Sequence, residues 1–176
     1  AFSQGSTVQN EQGVYMGLQL TPIARWKLSV YADLFRFPWL KYGIDAPSGG
    51  QEYMAQIDYT PSRNYSAYLR YKYRQKEKNG TFENDNLLKI NTYKQHRIRF
   101  QQVYNFSSPF IFKTSLDGIL FDDPIKKLNK GIMISQSIGW KPTTLPLQID
   151  GYLAWFHTDD YNSRVSSYEK NILYAF

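Results

Sequence analysis

Cysteine is absent from this 176-residue chain, which removes disulfide scaffolds, cysteine-based zinc modules and thiol catalysis together. Alanine and glutamate are scarce, at 8 and 5 residues. Set against 30 aromatic side chains (15 Tyr, 11 Phe, 4 Trp), this argues against helical bundles and for β-structure. No apolar run approaches the roughly 18–20 residues of a membrane-spanning helix. Neither an initiator methionine nor a signal peptide opens the chain, so a processed form or a fragment is expected. What is present is a basic balance, +6 at pH 7, and a mean hydropathy of −0.53. Those numbers alone suggest a water-soluble β-domain with one core.

Breaker clusters alternate short and long. The short ones are Thr21–Arg25, Thr60–Asn64, Asn105–Pro109 and Lys141–Pro146; the long ones are Pro38–Gln51, Gln75–Tyr93, Asp122–Lys130 and Thr158–Tyr168. Between them run β-branched and aromatic residues with period-two alternation. This predicts nine strands, about 14–20, 26–36, 52–60, 65–74, 95–105, 110–121, 131–140, 146–157 and 168–176, in one unit over 1–176. Each break joins sequence neighbours, so the expected topology is an antiparallel up-and-down meander. Short turns at one end and long charged loops at the other are the habit of an outer-membrane barrel.

Alternation gives two faces without saying which is inside, and a lipocalin-like soluble barrel has the same period. Charge placement discriminates. In the second strand Trp26, Leu28, Val30, Ala32 and Leu34 oppose Lys27, Ser29, Tyr31 and Asp33. In the fourth, Tyr65, Ala67, Leu69, Tyr71 and Tyr73 oppose Ser66, Tyr68, Arg70, Lys72 and Arg74. In the fifth, Ile98 and Phe100 oppose Arg97 and Arg99, with Gln102 breaking the apolar side. Lys113, Ser115 and Asp117, then Gln148, Asp150 and Tyr152, continue the polar face. Trp26, Tyr65, Tyr73, Trp140 and Trp155 fall near strand ends, the placement of an aromatic girdle at headgroup level. The expected fold is therefore an all-β transmembrane barrel, with the bilayer as first partner.

Nine strands is an odd number, whereas bacterial single-chain barrels are even. The polar segment 1–13 is expected as an extracellular loop, which needs a strand before it. The chain is thus expected to be part of a larger barrel, closed by remaining strands or other envelope proteins. Ile172, Tyr174 and Phe176 read either as a terminal aromatic signal or as an ordinary strand end.

The segments AFSQGSTVQNEQGVYMGL (1–18), FRFPWLKYGIDAPSGG (35–50), Tyr93–Arg97 and WFHTDDYNSRVSSYEKNILYAF (155–176) carry a resemblance. They look like the C-terminal barrel of Bacteroidota helix-hairpin-helix domain-containing proteins. The resemblance implies an outer-membrane location in a Gram-negative envelope and a barrel that continues past Phe176. It brings no catalytic residues.

Among chemistry-bearing groups, Arg70, Lys72, Arg74, Arg97 and Arg99 form a basic ladder on one hairpin. Like charges on neighbouring strands need screening or partners. The ladder reads either as an anion-attracting lumen wall or as half of a salt-bridge network with Asp33, Asp58, Asp117 and Asp150. Asp159 and Asp160, next to His157, are weak candidates for a divalent cation. A lipid hydrolase would need His157 brought to Ser166 or Ser167. Zinc signatures and phosphate-binding glycine loops do not occur, and no cofactor is expected. The expected role is transport or translocation, or that of barrel component in an envelope complex. A plugged assembly barrel docking partners through its loops is the alternative. An anionic solute fits the ladder, nucleic acid is not expected on this segment, and an enzyme is not expected.

Overall fold

The computed structural model describes residues 10–41, 43–82, 85–106, 109–124 and 128–166, with side chains throughout except at 81–89. It is all-β: eight antiparallel strands in one sheet, in sequence order, each hydrogen-bonded to the next. They are β1 (Gln12–Ile23), β2 (Trp26–Phe37), β3 (Ser48–Ser62), β4 (Tyr65–Phe82), β5 (Asp85–Asn105), β6 (Phe110–Asp122), β7 (Asn129–Trp140) and β8 (Ile149–Thr158). A single 3-10 turn, Tyr161–Ser163, follows. β1 and β8 do not pair, so the sheet is open among the described residues. The expected ninth strand, 168–176, lies outside them, as does most of the expected N-terminal loop; Gln12 and Gly13 of that loop already belong to β1.

The connections differ from the expected two-beat sorting. The break at Gln75–Tyr93 is not a loop: β4 and β5 continue through it as a paired hairpin from Gln75↔Lys94 to Gly80↔Lys89. Charged and amide residues crowd its sequence around Gly80, which reads as a loop, whereas the backbone ladder pairs it as strand. The connection 141–148 is longer than its proline-rich sequence suggested, and β8 starts at Ile149 rather than 146. In contrast, Thr21–Ile23 and Thr60–Ser62 are strand, leaving two-residue turns at Ala24–Arg25 and Asn64 with its neighbour Arg63. Arg25 turns its corner with a left-handed φ of 76°.

Burial is inverted relative to a soluble sandwich. The outer face carries Leu18, Leu69, Ile98, Leu116, Ile134 and Leu153 in the open, Leu153 at 75% exposure. The opposite, inner face buries Glu52 (5%) and Asp117 (2%). The few buried apolar residues, among them Phe35, Phe37, Ile119, Phe121 and Met133, also lie on the inner face, towards the end of the sheet where loop 38–47 sits. An exposed apolar sheet face and a buried charged one are the two departures that carry information about environment.

Candidate functional site: the charged inner face

The basic ladder is assembled as the alternation predicts. Antiparallel register sets Arg70 directly opposite Arg99 and Lys72 opposite Arg97. Like charges so placed are destabilising unless compensated, and two carboxylates compensate them. Asp117, opposite Arg99 on β6, accepts from Arg99 Nε at 2.6 Å and Arg97 Nη2 at 3.2 Å. Glu52 on β3 lies 2.8 Å from Lys72 Nζ and 2.7 Å from Arg74 Nε. It also accepts from the Tyr31 hydroxyl on β2. Arg70 donates to Gln56 at 2.6 Å. All five ladder residues thus have an ion-pair or hydrogen-bond partner on the strands that flank their hairpin.

Of the four aspartates expected to pair with the ladder, Asp117 does so. Asp58 accepts from Gln56 at 2.6 Å, and Asp150 accepts from Gln148 at 2.7 Å. Glu52 was missed, although its position in β3 has the parity of Asp58 and so the same face. The inner face is also covered in one place that periodicity does not foretell. The segment Tyr161–Ser166 crosses β6 and β7, with Ser163 fully buried and Arg99 Nη2 donating to the Ser166 carbonyl at 3.4 Å. Gly131 makes room: a Cβ there would collide with the Ser163 carbonyl oxygen.

The outer face carries an aromatic row at the turn end. Ring contacts run without a break from Trp26 to Tyr59, Tyr65, Tyr104, Phe106, Phe112 and Phe110, with successive centroids 4.4–6.5 Å apart. Trp140 stands opposite Phe110. A second row, Tyr53, Tyr73 and His96, lies towards the loop end, with centroids 6.2 and 5.0 Å apart. Trp155 is exposed on the same face, six positions along β8 from Ile149. All five girdle residues therefore share the outer face. In the band between the rows Gln102, Thr114 and Gln136 are laterally adjacent, and Thr114 donates to Gln136 at 2.6 Å.

Asp159 and Asp160 do structural work. Asp159 accepts from the Lys130 amide at 2.9 Å, and Asp160 caps the 3-10 turn through the Tyr161 amide at 2.6 Å. Among the described residues no group of three or more His, Asp or Glu side chains is placed to hold a metal ion. His157 shares a register row with outer-face Ile132, while Ser166 lies over the inner face, so the sheet separates the two residues a hydrolase would need together. Ser167 lies outside the described residues. Comparison with family models, with curated proteins and with solved structures returned no match.

Proposed function

We propose that this chain is a wall segment of an outer-membrane β-barrel in a Gram-negative, Bacteroidota-type envelope. In this reading the charged inner face lines the lumen of a transport or translocation protein. The observation that carries the proposal is the unbroken turn-end aromatic row below an exposed aliphatic band. Relative to the hydrogen-bonded rows, that belt slips two residues between Tyr59 (opposite Ala67) and Tyr65, and two more between Phe112 and Phe110. Four residues at ~3.3 Å, over the five strand spacings of ~4.8 Å from β2 to β7, make an angle of about 30°. A belt held level at a membrane interface therefore implies strands tilted by about 30°, close to the ~35–45° of such barrels. From Tyr65 to Tyr73 is about 26 Å along the strand, or about 23 Å across the membrane at that tilt, near the ~25 Å apolar band.

Among the described residues the edges of β1 and β8 are open, which supports further strands completing the wall, since unpaired backbone is costly in a bilayer. The resemblance to helix-hairpin-helix domain-containing proteins points the same way. Tyr161–Ser166 on the inner face favours one second reading, a partly plugged barrel whose role is structural or in assembly.

Leu69 lies midway between Tyr65 and Tyr73 and is 45% exposed. Leu69→Arg is expected to cost about 2–4 kcal/mol in a lipid-facing wall, and within about 0.5 kcal/mol on a water-exposed face. Unfolding of the chain in lipid vesicles reads the difference. A cost under about 0.5 kcal/mol would overturn the membrane reading.

A further inference from the structure

Beyond the compensated ladder, at the loop end of the inner face, lies a cavity of about 400 Å³. Its walls come from β4, β5 and β6 and from the segment Tyr161–Ser166. Arg74, Lys76, Lys78, Arg97 and Arg164 line it, and among the described residues no carboxylate does. Arg74 and Arg97 are held by Glu52 and Asp117. Lys76, Lys78 and Arg164 have no carboxylate within ion-pair distance among the described residues. Each is instead set over an aromatic ring: Lys76 over Phe35 (5.2 Å), Lys78 over Tyr93 (5.7 Å) and Arg164 over Tyr161 (4.1 Å). Cation–π contact positions a cation without neutralising it. Three cations without an ion-pair partner among the described residues, set around one concave space, raise the local concentration of anions.

We propose that this cavity is a binding site for a small molecule bearing a phosphate or sulfate ester. Arg74, Lys76 and Lys78 alternate along β4 at a spacing of about 7 Å, so neighbouring side chains reach opposite sides of a single tetrahedral oxyanion through contacts of about 2.8 Å. Arg164, with its planar fork, closes on the anion from the covering segment. Tyr93, stacked on Phe121 at 5.9 Å, and Tyr161 give apolar surface for the rest of the ligand. The volume suits a sugar phosphate or a similar ester. Burial, with Arg74, Lys41 and Lys78 nearby and Glu52 opposing them, holds Lys76 down at a pKa of about 8. Lys76 lies three residues past Tyr73, beyond the outer-face band, so the site is in reach of water. The proposal stands on the cavity alone and does not rest on the membrane reading.

Titration calorimetry of the full chain with glucose 6-phosphate, glucose 6-sulfate and glucose tests it. At least one ester should bind ten times more tightly than glucose or better, and the two esters distinguish the source of the oxyanion. Lys76→Ala combined with Lys78→Ala should weaken that ester at least tenfold, and Arg164→Ala should weaken it with the sheet intact by circular dichroism. Lys113→Ala, a cation on the same face but outside the cavity, should leave it unchanged. Esters that bind no better than glucose, or that bind equally well to the double variant, would overturn the site.

Discussion

Replacing Asp117 by asparagine removes the charge that holds Arg97 and Arg99 together while keeping the side chain's size. The carboxylate is 1% exposed, and its Oδ1 lies 2.6 Å from Arg99 Nε and 3.2 Å from Arg97 Nη2. At an effective dielectric of about 20, those separations correspond to gross attractions of about 6 and 5 kcal/mol. Desolvating the carboxylate offsets most of this. Leaving the partner charges of a buried pair uncompensated costs about 3–5 kcal/mol net. The guanidiniums are themselves 31% and 26% exposed, so solvent screening brings the expected cost of Asp117→Asn to about 2–4 kcal/mol. The neighbours raise the cost: with Asp117 neutral, Arg99 still faces Arg70, and Arg97 still faces Lys72. Denaturant unfolding of the wild-type and variant chains measures it, and Arg99→Met completes a double-mutant cycle. Coupling between Asp117 and Arg99 of at least about 1 kcal/mol is expected. Strictly additive losses, or a total cost below about 1 kcal/mol for Asp117→Asn, would refute the bridging role.

Gly131→Val is expected to lift Tyr161–Ser166 from β7, because the new side chain occupies the place of the Ser163 carbonyl; trypsin cleavage after Arg164 should accelerate, and an unchanged rate would mean the segment is not held at Gly131. The depressed pKa of Lys76, about 8 against an ordinary 10.5, gives stability and binding opposite slopes. Charged Lys76 burdens the fold below pH 8, so its contribution to stability rises with pH from about 8 to 10.5, while ester affinity falls over the same window. The charges facing it are Arg74 and Lys78 on β4, Lys41 from loop 38–47 and Glu52 on β3. Comparison with Lys76→Met isolates its share, and identical pH profiles for the two proteins would exclude Lys76 as the titrating group.

Period-two alternation and turn chemistry determined most of the architecture. Trp26 to Leu34 and Tyr65 to Tyr73 declare their outer face residue by residue, because successive side chains in a strand have no choice but to point to opposite sides. Antiparallel order followed from short connections, and the ladder from like charges at matching parity on one hairpin. Three features needed the tertiary structure. The arms of β4 and β5 beyond Gln75 carry charged and amide residues around Gly80, the composition of a loop, and only the backbone pairing makes them strand. Which carboxylate serves which cation depends on register between strands: Glu52 reaches Lys72 and Arg74 because β3 and β4 pair as they do, and no spacing along the chain encodes that. The cavity of Lys76, Lys78 and Arg164 exists because a segment more than 80 residues further along folds back over the sheet. Local sequence sets the direction of each side chain. Long-range pairing and chain return decide which of them meet.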